Sequence, residues 1–169
     1  AADQNFESET PEGRRKNVWL TAGGVADYAG QWAPSSMRLP QAHSLSTGAN
    51  IRVAVLDTGI DPNHPAFAGK LLPGRDFVDD DADPSEVGPS TNVGYGHGTH
   101  VAGLVTLAAP GAQIVPVRVL DVQGKGNVWV LAEALGWAVD PDGNPNTDDG
   151  AHVINLSLGT TQQTSVLRT

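Results

Sequence analysis

Two stretches of this sequence carry side chains suited to moving a proton. Asp57 closes the apolar run Ile51-Arg-Val-Ala-Val-Leu56 and is followed by Thr58 and Gly59. A carboxylate that ends a buried strand is held rigidly and shielded from water, which suits orienting an imidazole and stabilising its protonated form. A turn or helix-cap Asp would explain the stretch equally well, and an aspartic dyad uses the same Asp-Thr-Gly. The dyad needs a second carboxylate to share its proton, and no second Asp-Thr-Gly occurs. The other stretch is Gly96-His97-Gly98-Thr99-His100-Val101-Ala102-Gly103. Glycines on both sides of His97 permit close backbone approach, and the small residues after it suit a tightly packed helix. His97 and His100 share a helix face, a spacing open to a metal pair. No Glu follows in the His-Glu-x-x-His order of a zinc helix.

The elements that must position these groups are marked by hydrophobic period and by turn residues. Ile51 to Leu56 is almost continuously apolar and β-branched, as a strand buried on both faces would be. A small-residue helix is predicted over 97–107, ended by Pro110-Gly111. A second strand is expected over Ile114–Leu120, with Pro116 pointing to an edge or irregular position. Asn127 is placed to cap a helix running to Val139, with Val128, Leu131, Leu135 and Val139 on its apolar face. After a polar turn, His152–Leu156 reads as a third, buried strand. Strand, helix, strand, helix, strand predicts an α/β fold: three α/β/α layers around a mostly parallel sheet. Ligand sites in such sheets form beyond the carboxyl ends of the strands. Asp57 stands at one such end and Ser157-Leu158-Gly159 at another.

Composition narrows the function classes. The formal net charge is −9, which argues against a nucleic-acid partner, since phosphate neutralisation needs clustered Lys and Arg. There is no cysteine, so thiolate catalysis and cysteine-held zinc are excluded. No apolar run has the length of a membrane span, so no membrane partner is expected. Residues 1–27 read as an N-terminal extension, the remnant of a propeptide or linker, with Trp19 and Leu20 as candidates to dock on the body. They lack the basic-then-apolar layout of a signal peptide. Residues 28–169 form the body.

Taken together and in order, these stretches resemble the subtilisin-like serine proteases. Val55-Leu-Asp57-Thr-Gly-Ile60 is similar to the family's aspartate motif, and His97-Gly-Thr-His-Val-Ala-Gly103 to its histidine motif. Gly124, Lys125 and Gly126 match one wall of the family's substrate groove, and Ser157, Leu158 and Gly159 the other. The resemblance implies a serine endopeptidase acting on polypeptide substrates, with Asp57 and His97 catalytic and the two wall segments pairing with an extended peptide. Secretion follows from the same resemblance. The family's Gly-Thr-Ser-Met-Ala nucleophile motif and its oxyanion Asn motif do not occur in the 169 residues. Asn155 and Ser157 lie in the wall segment and are neither of these. The expected partner is therefore the remaining, C-terminal part of the catalytic domain, and residues 1–169 alone are expected to be inactive. The rival is a catalytically inactive fragment of the same fold, serving as a binding or structural module.

The acidic loop Asp76-Phe-Val-Asp79-Asp80-Asp81-Ala-Asp83 concentrates carboxylates that repel one another. A hard cation with several oxygen ligands would relieve that repulsion, as would simple solvation. The spacing of Asp76, Asp79 and Asp81 resembles a calcium loop found in part of the family, so structural calcium is expected at Asp76, Asp79, Asp81 and Asp83. A second calcium site of the family has no counterpart, because Ala66 stands where its Asp belongs. His64 reads as a turn residue, and Trp129 and Trp137 as packing. Asn155-Leu156-Ser157 fits a glycosylation pattern, although a buried strand is a poor acceptor.

Overall fold

The computed structural model describes residues 7–9 and 30–160. The expectations for Trp19, Leu20 and most of 1–27 lie outside the described residues. The described residues include the strands β1 (Glu7–Glu9), β2 (Arg52–Asp57), β3 (Arg75–Asp76), β4 (Gln113–Arg118), β5 (Lys125–Asn127) and β6 (Val153–Leu156). The helices are α1 (Trp32–Ser36), α2 (Leu39–His43), α3 (His97–Ala108) and α4 (Val128–Val139), with a 3₁₀ turn at Pro65–Phe67. Four strands form one parallel sheet in the order β3-β4-β2-β6, and β1 pairs separately and antiparallel with β5.

The sheet is covered on both faces, which explains its uninterrupted apolar strands. Val53, Val55 and Ile114 point into a core shared with Val101 and Ala102 of α3 and with Phe67. Ala54, Leu56, Val115 and Val117 point the other way, against Leu131, Ala134 and Ala138 of α4. Alternation along each strand thus builds the three α/β/α layers that the sequence predicts. Solved structures with this arrangement are described with the site below.

Three local expectations change in detail. Pro116 is in the sheet interior, between β2 and β3, not at an edge. Pro73-Gly74, just before β3, lies beside it. A Cβ on Gly74 would lie 2.0 Å from the Pro116 carbonyl oxygen, so only glycine passes there. In α4 the buried face is Val128, Leu131, Ala134 and Ala138, while Val139 is 63% exposed. The two alanines let the helix approach the sheet, and the helical period carries Val139 out of the seam. Asn127 caps this helix as expected, its side-chain oxygen accepting from the Val130 amide at 2.9 Å.

β6 corrects the expectation of a buried strand. Among the described residues it pairs on one side only, with β2, and Val153 and Leu156 are 50% and 42% exposed. Burial therefore gives no argument against modification at Asn155, whose amide instead donates to the Ser157 hydroxyl at 3.0 Å. No described helix is long and apolar enough to cross a membrane.

Candidate active site

The carboxyl ends of β2, β4 and β6 lie along one rim, and the chemistry gathers there. Asp57 is the last residue of β2 and is 1% exposed. His97 opens α3 and is 5% exposed. Its Nδ1 lies 2.6 Å from Asp57 Oδ1, so two residues far apart in sequence form one buried pair. The same Oδ1 accepts the Thr58 amide at 2.7 Å, which fixes the carboxylate in rotation. The second oxygen, Oδ2, is buried and meets no donor among the described residues.

The residues around the pair explain the local patterns. Thr58 Oγ1 accepts the Gly98 amide at 3.1 Å, locking the aspartate motif to the histidine helix. A Cβ on Gly98 would lie 2.1 Å from the Gly59 carbonyl, so the glycine after His97 is required for this approach. Gly96 has open space around it and is instead needed for its left-handed backbone, φ 83°. The turn following Asp57 and the strand leaving β4 are tied as well: the Val119 and Leu120 amides both donate to the Asp57 carbonyl.

Gly124, Lys125 and Gly126 form a turn and an edge beside this rim. The Gly94 amide donates to the Val122 carbonyl at 3.2 Å, bringing the loop before His97 against that turn. The outer side of β5 is occupied by β1, with Ser8 opposite Gly126 and Glu9 opposite Lys125. Ser8 is 2% exposed, and Glu7 Oε1 meets Lys125 Nζ at 2.6 Å. A Cβ on Gly126 would lie 2.4 Å from the Val119 carbonyl and 3.1 Å from Ser8 Oγ, so the edge is closely fitted. A cavity of about 340 Å³ adjoins it, lined in part by Phe77, Val78 and Asp121. Ser157 and Leu158 follow β6 half-buried, and Gly159 is exposed.

The acidic loop is held by an arginine and by its own backbone. Asp76 and Asp79 converge on the guanidinium of Arg118, whose Nη1 donates to one oxygen of each at 2.5 Å. The other oxygen of Asp76 accepts the Val78 and Asp79 amides. Asp81 and Asp83 turn to the backbone amides of Asp83 and Ser85. Among the described residues, the carboxylates gathered closely enough to share an ion are Asp140, Asp142 and Asp149 instead. Arg118 of β4 thus supplies positive charge to Asp76 and Asp79, while Asp81 and Asp83 accept backbone amides of their own loop. Burial lowers the Arg118 pKa, but its bonds to Asp79 and Asp76 and their charges more than reverse this, leaving it raised.

Glu86 escaped the sequence reading. Its Oε2 accepts the Gly96 amide at 2.9 Å, and its Oε1 accepts the Thr99 amide and hydroxyl at 3.3 and 3.0 Å. Burial pushes its carboxyl above the ordinary range, against the pull of these hydrogen bonds, and the charge of Asp57 adds to the rise. The remaining histidines are structural. His64 Nδ1 accepts the Ala66 amide in its turn, His43 Nε2 meets the Ala108 carbonyl, and His152 Nδ1 accepts the Arg52 amide. His100 is exposed. Trp137 packs edge-on against Phe77, as expected of a packing residue.

Comparison with known proteins places the chain in one family. A family model described as the subtilase family matches residues 48–168. Thermitase of Thermoactinomyces vulgaris is 38% identical over 148 residues, covering 82% of this chain and 48% of that protein. Subtilisin Savinase of Lederbergia lenta is 40% identical over 146 residues, covering 80% and 48%. Among solved structures, a lanthipeptide protease superposes with a TM-score of 0.60 at 28% identity, covering 79% of this chain and 36% of that one. A protease from Pseudoalteromonas arctica gives 0.55 at 32% identity, covering 70% and 44%. The chain thus spans about half the length of the curated relatives it matches.

Proposed function

Because the chain belongs to the subtilase family, we propose that it carries the aspartate–histidine half of a secreted serine endopeptidase acting on polypeptides. The observation that carries the proposal is the 2.6 Å contact of His97 Nδ1 with a buried Asp57. With its Nδ1 proton directed to Asp57, the ring presents Nε2 as the base. A serine from outside residues 1–169 attacks the scissile carbonyl carbon while its hydroxyl proton passes to Nε2. The tetrahedral intermediate collapses as that proton moves to the leaving amine, and water then repeats the cycle on the acyl-enzyme. Asp57 stays ionised throughout and stabilises the imidazolium. The serine-bearing remainder of the domain is the partner this reading requires. An apolar cavity of about 400 Å³ between α1, α2 and α3, open toward Ser157, offers surface for it.

Labelling with a fluorophosphonate tests the division of the site. Protein extended through a serine motif should be labelled at one serine, and His97→Ala should abolish the label. Residues 1–169 alone should stay unlabelled, and a label there that needs His97 would overturn the division. Failure to label any serine in the longer protein would favour the non-catalytic binding module.

Gly124 to Gly126, with Ser157 to Gly159 opposite, are the proposed peptide-binding walls. Support comes from β1, an extended segment of this chain that already adds to the β5 edge in antiparallel register. On this reading β1 sits where a substrate strand would sit. Ser8→Pro removes a ladder donor and is expected to release β1. A synthetic extended peptide should then shift the amide resonances of Gly124, Lys125 and Gly126. Unchanged resonances at saturating peptide would count against these walls.

A further inference from the structure

Glu86 is bonded both to the segment that follows Asp57 and to the residues on either side of His97 at the start of α3. Its backbone is anchored on the segment that follows Asp57: the Glu86 amide donates to the Ile60 carbonyl at 2.9 Å, and the Ile60 amide to Pro84 at 3.0 Å. A Cβ on Gly59 would lie 2.9 Å from the Pro84 and Ser85 carbonyls, so that contact leaves no slack. Its side chain reaches the other half and holds the first turn of α3 at Gly96 and Thr99. The helix has no cap of its own, since Gly96 at its N-cap has no side chain. Glu86 supplies the missing acceptors from a separate loop and spans the residue, His97, whose ring must meet Asp57. Thr99 Oγ1 carries the connection further, accepting the Asp61 amide at 2.8 Å.

We propose that Glu86 is a positioning residue: a carboxylate strut that fixes the start of α3 relative to the end of β2 and so sets the His97 ring on Asp57. The inference rests on the catalytic reading of that pair. The titratable groups on the elements packed against Glu86 are Asp57 and Asp61 after β2, Asp83 on its own loop, and Tyr95, His97 and His100 around the first turn of α3. Desolvation favours its protonated form, so the ionised strut is held at a cost to the fold. With the folded pKa raised above 4.5, the fold binds this proton more tightly than the unfolded chain does. Stability from this group is therefore greatest below pH 4.5 and falls as pH rises through the raised pKa. An ordinary helix cap has the opposite sign.

That difference supplies the test, made on the full chain with Glu86→Gln and Glu86→Ala. NMR reads the His97 Nδ1 proton and amide exchange at Gly96 and Thr99, and a thermal melt at neutral pH reads stability. Glu86→Gln should melt at the same temperature or higher, while the His97 proton shifts or broadens and the two amides lose roughly fivefold to tenfold protection, the size of one lost cap. The unsubstituted chain should show the same change at His97 when acidified through the Glu86 titration, and Glu86→Ala should remove that step. A lowered melt with an unchanged His97 proton would make Glu86 a plain structural cap and overturn the proposal. Absence of a bonded Nδ1 proton in the unsubstituted chain would instead overturn the reading of the Asp57–His97 pair.

Discussion

Asp57→Asn is expected to lower turnover by about four orders of magnitude in the protein that carries the serine, with the fold retained. The substitution is nearly isosteric, but Oδ1 serves both the Thr58 amide and His97 Nδ1, so an amide nitrogen turned to the ring gives up the Thr58 bond. What changes is the proton. An amide nitrogen facing His97 Nδ1 donates, so the ring must place its own proton on Nε2 and has no lone pair for the serine hydroxyl. The buried charge that stabilises the imidazolium is lost as well. The magnitude is that of subtilisin, a relative in the same family, whose aspartate is worth about 3 × 10⁴ in kcat. Steady-state kinetics on a peptide substrate, beside a melt showing an intact fold, would check this. A loss below about tenfold would mean that Asp57 does not orient the base.

The second large effect is expected away from the reaction. Arg118 and Asp76 are each 2% exposed at the side chain and form a buried ion pair, joined by the half-exposed Asp79. Arg118→Met leaves Asp76 buried without its cation, and breaking a buried pair from one side costs about 3–5 kcal/mol. For a chain of this size that corresponds to a melting point lower by about 6 to 20 °C. Asp76→Ala should cost a similar amount, because the Val78 and Asp79 amides also lose their acceptor. Replacing both partners, Arg118→Met with Asp76→Asn, should recover part of the loss, since no uncompensated charge remains. Denaturant melts of the three variants close the cycle, and a single-substitution cost below about 1 kcal/mol would show that the pair is solvated as surface pairs are.

These two sites differ in how far the sequence revealed them. The Asp57 pair was legible because each half carries its own local requirement. An apolar run ended by Asp-Thr-Gly, and a glycine-flanked histidine followed by small residues, can be recognised without knowing that they touch. Thr58 and Gly98 then prove to be the contact itself, the hydroxyl bonding the glycine amide across the two motifs. The strands of the parallel sheet and the Asn127 cap were legible for the same reason, since period and capping are written over neighbouring residues. The Arg118 contact of the Asp76 cluster was not legible because Arg118 is remote in sequence. A run of carboxylates states only that positive charge is needed nearby, and calcium and Arg118 answer that need equally well in sequence.

What the sequence by itself determined is therefore the set of elements and the identity of the catalytic-type residues, Asp57 and His97, because each depends on residues adjacent in the chain. The tertiary structure alone decided which distant groups meet: Arg118 at Asp76, β1 on the β5 edge, and Glu86 across the start of α3. Packing chooses those partners by shape, burial and charge in three dimensions, and no hydrophobic period or turn residue records the choice. For Asp57 and His97 the sequence named the two groups, and the folded sheet brought one to within 2.6 Å of the other.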